Sequence, residues 1–313
     1  MLLTGALLLL QAAAAPRSVA VTFDDLPVIS VVASPEAARD TTTTRLLAAI
    51  RKHAVPAIGF VNENKLLDTA GALVPARVTY LRQWLSAGLE LGNHTWSHLD
   101  LHRVTLQEYE AEIIRGDSVT RQLMTQAGRT LRYFRHPFLH TGRSLAVRDS
   151  LNQFLAGHGY RVAPVTIDNS DYVFAAAYDR ARTTGNAALA LRIRHDYLGY
   201  MDTVTAFYQH QSQAILGREL PQILLLHANR LNADTFDELA GMLERRGYRF
   251  VTLETALQDP AYSFRDEYAG PAGITWLHRW AMTAGMPGST FRGEPEVAAW
   301  VADAATGRST AAN

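Results

Sequence analysis

The chain predicts an α/β fold of about seven parallel strands, closed or nearly closed into a β/α barrel. Two observations carry that expectation. Short runs rich in Val, Ile, Leu and Phe alternate with longer amphipathic stretches, which implies parallel pairing through right-handed crossovers. Seven such units over about 240 residues match the spacing of a barrel, and a doubly wound open sheet is the alternative that periodicity leaves open.

The elements follow in order. Leu2 to Leu10 is apolar apart from Thr4 and Gly5, and Gln11-Ala12-Ala13-Ala14-Ala15 adds small residues. Residues 1–15 therefore read as a secretory signal peptide, and the mature protein is expected to be exported, periplasmic or extracellular. No other stretch approaches a membrane span. Strands are expected at 18–24, 56–61, 89–93, 131–135, 160–164, 222–227 and 248–252. Helical patterns lie between them at about 36–53, 76–87, 105–126, 143–158, 176–216 and 232–246.

Two stretches depart from this rhythm. Residues 26–44 read as a long loop ending in four threonines, placed to lie over a site. The connection 175–221 is unusually long, and Tyr197, Tyr200, Met201, Val204, Phe207, Tyr208 and Gln211 recur in it at helical spacing, which reads as core packing. One domain is thus expected over 16–258, with 175–221 as a helical insertion. From Asp259 the alternation stops, so 259–313 reads as a C-terminal extension with a cluster at Trp276, His278 and Trp280 and a disordered end.

Composition narrows the function. Thirty basic residues balance thirty acidic ones, which argues against non-specific nucleic-acid binding. The absence of cysteine removes disulfides, thiolate metal sites and thiol nucleophiles together. At 313 residues the chain can bury a core without disulfides outside the cell.

The polar residues that need explaining sit where strands end. The first strand runs into Asp24-Asp25, adjacent carboxylates that repel unless a cation or donor answers them; alone, the pair reads as a helix N-cap. The third ends in Gly92-Asn93-His94-Thr95-Trp96-Ser97-His98, where histidines four apart on a helical turn point the same way and suit zinc. Roughly 0.4 such pairs arise by chance, and the chain has three, including His98/His102 and His136/His140. Only His94/His98 opens directly after a strand ending in Gly-Asn. Arg135 after the fourth strand is a surface charge or a partner for the Asp pair, and Asp168-Asn169-Ser170-Asp171-Tyr172 after the fifth could be a turn. His227 after the sixth reads, alone, as a near-core histidine. In a parallel barrel every strand's C-terminal end faces one mouth, which would bring these residues to one site.

In order over about residues 18–258, the motifs Thr22-Phe23-Asp24-Asp25, His94-Thr95-Trp96-Ser97-His98, Arg135-His136-Pro137-Phe138, Asp168-x-x-Asp171 and the Leu-rich strand ending at His227 resemble the polysaccharide deacetylases with the NodB homology domain, carbohydrate esterase family four. The resemblance implies a distorted (β/α) barrel. It implies that Asp25, His94 and His98 hold one divalent metal, zinc first and Co2+ or another transition metal as alternatives. Asp24 would be the general base, His227 the general acid and Asp171 the group that orients and tunes His227. Arg135 would steady Asp24 or line the groove, and the backbone amide of Phe138, beside Pro137, would serve the oxyanion. Tyr172 stands where the motif usually has Trp, and Leu139 where Gly is often seen, which implies a groove shaped differently.

The chemistry is consistent with those roles. Amide hydrolysis needs a hydroxide-like nucleophile, and a metal lowers the pKa of bound water from ~15.7 to ~7. The expected activity is removal of acetyl groups from an acetylated polysaccharide or oligosaccharide, at N-acetylglucosamine units. An O-acetyl esterase, a small-molecule amidase or imidase, and a catalytically silent glycan-binding protein are the alternatives; silent members should lack the base or acid, and Asp24 and His227 are both present.

Overall fold

The structure is a computed structural model and describes residues 17–308. The segment 1–15, expected to be a signal peptide, and the chain end at 309–313 lie outside the described residues. The strands are β1 (Arg17–Leu26), β2 (Ile58–Val61), β3 (Glu90–Asn93), β4 (Tyr133–Phe134), β5 (Arg161–Val162), β6 (Gln222–His227) and β7 (Tyr248–Phe250). They form one sheet in the order β5-β4-β3-β2-β1-β6, with β7 on β1, and every pairing is parallel. Val19 pairs with Gln222 of β6 and also with Phe250 of β7, so β7 shares with β2 the edge of β1 opposite β6. The sheet curls until its ends meet. Beyond β5, Ala163 N–H donates to Phe134 O (2.8 Å), and Ile167 then forms one parallel bridge with Leu224. That narrow seam distorts the barrel.

Around the sheet lie α1 (Glu36–Lys52), α2 (Pro75–Ser86), α3 (Leu106–Arg115), α4 (Ser118–Gln126), α5 (Leu145–Gly157), α6 (Asp171–Thr183), α7 (Ala187–Leu216), α8 (Arg230–Arg245), α9 (Leu253–Ala256), α10 (Trp276–Thr283) and α11 (Ala299–Thr306). Where both faces of the sheet are covered, as along β2 and β6, the strands are near-continuous apolar runs. Alternate residues serve different cores. Val19, Val21 and Phe23 of β1 belong to the layer under the helices, where Phe23 meets Trp84 and Phe236 edge-on at 5.6 and 5.3 Å. Ala20, Ile58, Phe60, Tyr133, Ala163 and Ile223 form a separate cluster, the barrel interior, closed at the bottom by Leu253 and Ala256 of α9. The same parity continued upward gives Thr22 and Asp24 on β1, Arg135 after β4, and Leu225 and His227 on β6. Above this cluster the inward positions turn polar as the strands approach the mouth.

Three expectations need correction. The four threonines do not end a loop: Thr41 to Thr44 lie inside α1, and Thr41 and Thr42 hydroxyls donate back to the carbonyls of Ala37 and Ala38, which satisfies them within a helix. The helix expected at 105–126 is two, α3 and α4, broken at Gly116. A Cβ there would lie 2.5 Å from the Thr95 carbonyl carbon and the Trp96 nitrogen, so the chain breaks where helix must pass close to the β3 loop. The helix at 176–216 is also two, turning at Gly185 with Asn186 capping α7 through Leu189 N–H (3.0 Å). The extension after Asp259 packs against the rest of the described chain. Leu277, Trp280 and Val301 are buried, Arg279 is buried beside Asp266, and Arg180 Nε donates to Ala305 O (2.8 Å).

Candidate active site

The mouth gathers the residues expected there, and strained backbone aims them. Among the described residues, six non-glycine residues have positive φ, and all but Ala54 stand at this mouth: Asp25, Thr95, His98, Phe138 and Leu139. Left-handed backbone costs about 1 kcal/mol or more per such residue and persists where surrounding structure enforces it, which is common at functional sites. The histidine loop shows how. Asn93 accepts from Thr95 N–H (2.7 Å) and donates to Ile113 O (2.9 Å), while Asn62 donates to His94 O (2.5 Å). Residues 94–98 are not a helical turn, as spacing suggested; the loop, through the φ of Thr95 and His98, turns the two rings toward each other.

Asp25, His94 and His98 each offer a ligand atom, and these atoms lie within 4.8 Å of one another. His94 Nδ1 is 2.8 Å from Arg135 O, so it carries the proton and donates there, leaving Nε2 with a free lone pair. The two rings cross at 76° with centroids 4.8 Å apart, so in-plane lone pairs can converge on one point. Burial lowers the pKa of His94 well below the ordinary imidazole value, aided by His98, and burial lowers His98 as well. Burial alone would raise Asp25, but Lys65 (Nζ to Oδ1 2.7 Å), His98, His227 and His94 outweigh it and hold its carboxyl far below the carboxylate range. Two neutral imidazoles and one carboxylate are the donor chemistry a zinc-type ion takes, so the residues present fit a metal.

Asp100, His102 and His140 also come within the same reach of one another, but their geometry differs. His102 and His140 stack at 9° with centroids 3.8 Å apart, and parallel planes keep in-plane lone pairs from meeting at one ion. His140 Nδ1 already pairs with Asp100 Oδ1 at 2.7 Å. Of the three spaced histidine pairs, among the described residues only His94/His98 falls within one group of candidate metal donors.

Two ionisable pairs flank the donors. Arg135 is fully buried, with Nη1 3.4 Å from Asp24 Oδ2, Nη2 donating to Thr22 Oγ1 (3.0 Å), and its guanidinium over the Phe60 ring at 4.8 Å. It is thus a partner of Asp24, not a surface charge. Burial raises Asp24 to about 6 despite Arg135 and His227, with Asp25 and Asp171 adding to the rise. His227 Nδ1 lies 2.6 Å from Asp171 Oδ1. Burial works against a charged His227, but the Asp171 carboxylate, by charge and by hydrogen bond, lifts it to about 9. Asp171 is itself held: Oδ2 accepts from His227 N–H (2.8 Å), Asn232 Nδ2 (2.6 Å) and Asn229 Nδ2 (3.3 Å), and Tyr197 hydroxyl donates to Asn232 Oδ1 (2.6 Å). The insertion stripe is therefore largely core, as its spacing suggested, and Tyr197 within it also supports the site.

These groups line a cavity of about 840 Å³. Phe138 and Tyr172 project at its rim, 52% and 55% exposed, the first edge-on to His98 (4.5 Å) and the second to His227 (6.0 Å). Pro137 beside Phe138 is buried. Asp168 lines the cavity and is lifted to about 6 by burial. Sequence reasoning missed Lys65, Tyr200, Gly273 and Glu294 to Val297, all at this site. A lone lysine, or a glutamate far along the chain, gives no local signal. His278 lies outside the cavity lining, buried among Phe207, Tyr208 and Phe291 rings.

Residues 11–163 match the family model described as polysaccharide deacetylase. The chain is 23% identical over 246 residues to a peptidoglycan-N-acetylglucosamine deacetylase of Bacillus cereus, covering 77% of this chain and 68% of that protein. It is 23% identical over 244 residues to a chitin deacetylase of Colletotrichum lindemuthianum, covering 78% of this chain and 81% of that protein. Among solved structures, a family 4 carbohydrate esterase from Streptomyces lividans in complex with acetate aligns with a TM-score of 0.46 at 20% identity, covering 78% of this chain and 97% of that one.

Proposed function

With residues 11–163 belonging to the polysaccharide deacetylase family, we propose that this enzyme removes N-acetyl groups from glucosamine units of an extracytoplasmic glycan, using zinc held by Asp25, His94 and His98. The observation that carries the reading is the placement of three converging donors between two separately tuned pairs, Asp24–Arg135 and Asp171–His227. A divalent ion in this donor set supplies Lewis-acid activation of water and of the acetyl carbonyl at neutral pH.

The chain's own residues do the rest. Asp24, poised near 6 and steadied by Arg135, takes a proton from the attacking water. The backbone N–H of Phe138 donates to the oxygen that gains charge. His227 remains protonated to about 9 and gives its proton to the departing nitrogen, leaving a free amine and acetate. Cleaving a C–N bond requires that protonation more than cleaving an ester does, which favours an N-acetyl over an O-acetyl substrate. The apolar leader at 1–15 supports export, where acetylated glycans are found.

The test is acetate release from N-acetylglucosamine oligomers by zinc-loaded protein, chelated protein and Asp24→Ala. Release is expected only from the zinc-loaded native enzyme, with Asp24→Ala lowering kcat by about 10²–10⁴ while keeping its zinc. Equal release after chelation would overturn the metal assignment. Zinc retention without release from any N-acetyl glycan would overturn the substrate assignment.

A further inference from the structure

The cavity wall between the β4 loop and the α6–α7 hairpin is built by the C-terminal extension, by segments far beyond the strand that bears His227. Gly273 lies against the Phe138 carbonyl so closely that no Cβ could be accommodated. Glu294 to Val297 line the same cavity as Ser170, Tyr172 and Tyr200, and the Glu294 charge acts on Tyr200. The wall is anchored at several points. Trp276 N–H donates to Val165 O (2.8 Å) at the barrel seam, and Arg279 Nη2 donates to Thr141 Oγ1 (2.6 Å). Gln211 Nε2 donates to Thr290 O (2.8 Å), and Tyr208 hydroxyl donates to Glu294 Oε1 (2.6 Å). Buried anchors of this kind make a fixed boundary, since displacing it would strand buried polar groups.

We propose that this extension blocks one side of the mouth, so that the site accepts a short oligosaccharide or the terminal sugar of a chain and excludes internal sugars of a long polymer. A strand of polysaccharide passing across the mouth would have to cross the ground held by Gly273 and Glu294 to Val297. A cavity of about 840 Å³ bounded in this way suits engulfing a small ligand, whereas a polymer requires a groove open at both ends. Glu294, fixed by Tyr208, sets the acceptor that the terminal sugar's hydroxyl groups meet. The proposal rests on the deacetylase reading for the identity of the sugar, though not for the limit on length.

Binding and turnover separate the two. Calorimetric affinities of the zinc-loaded protein for N-acetylglucosamine oligomers of one to six units should rise over the first two or three and then level within twofold. Replacing Glu294-Pro295-Glu296-Val297 by Gly-Ser-Gly-Ser should let affinity climb at least tenfold further by the hexamer, and the native length profile decides the matter even if that variant does not fold. Acetate release from a long polymer should scale with its number of chain ends after controlled fragmentation if ends are used, and be absent if only free oligomers are. An affinity that keeps rising to the hexamer in the native protein, release from polymer that ignores end number, or no binding at any length would overturn the wall's role. A plateau in affinity without acetate release would sink the deacetylase reading and leave the wall standing.

Discussion

His227 and Asp171 show how one hydrogen bond sets a working pH. An ordinary imidazole titrates near ~6.5, whereas the Asp171 carboxylate at 2.6 Å lifts His227 to about 9. Because the folded pKa exceeds the unfolded one, the charged pair stabilises the fold fully below ~6.5, and that contribution is lost as pH rises through about 9. The alkaline limb of kcat/KM should therefore lie near 9, and Asp171→Asn should move it down toward ~6.5 with zinc content unchanged. An alkaline limb that stays in place in Asp171→Asn would assign it to another group. Asp24 and Asp25, neighbours in sequence, are driven in opposite directions, because one answers mainly to burial and the other to Lys65 and the histidines. Adjacency in sequence says nothing of that division.

At the scale of elements, loops rather than helices orient the candidate metal donors, and the helices behind them hold the loops. The break between α3 and α4 exists because Gly116 passes against the Thr95–Trp96 backbone, between His94 and His98. Gly116→Ala should force that loop outward, costing about 1–3 kcal/mol in chemical denaturation and lowering zinc affinity by roughly 10–100-fold. Gly157→Ala, at the end of α5 with no atom near its added methyl, is the control and should leave zinc affinity unchanged. Similar zinc affinities in the two variants would detach the helix break from the donors. The α6–α7 hairpin has a comparable part: Asp171 opens α6, and Tyr197 on α7 orients Asn232, which holds the Asp171 carboxylate.

Across the whole molecule, the C-terminal extension completes both the core and the mouth. Leu277, Trp280 and Val301 are each at most 4% exposed. Side chains of this kind contribute roughly 1.5–3 kcal/mol apiece on burial, a large share of the 5–15 kcal/mol that holds an ordinary domain together. Truncation after residue 258 should therefore abolish cooperative unfolding in urea, and a truncated chain with the full-length midpoint would show the extension to be dispensable. Much of the rest was legible in the residues. All seven strands lie where apolar runs placed them, since parallel strands covered on both faces must be apolar along their length. The strand-end positions of Asp24, Asp25, His94, Arg135, Asp171 and His227 led to one mouth, because parallel strands share a C-terminal edge. Helix breaks at Gly116 and Gly185 were not legible, because periodicity runs through a glycine whose reason for being there is a contact from elsewhere in the chain. The sequence by itself determined the strand count, the parallel topology and which strand-end side chains reach the mouth, all of which follow from local pattern and two-residue alternation. Only the tertiary structure decided which histidine pair converges, which acid is paired with which base, and that Gly273 and Glu294 wall the site, because those depend on ring planes, burial and contacts between residues far apart in the chain.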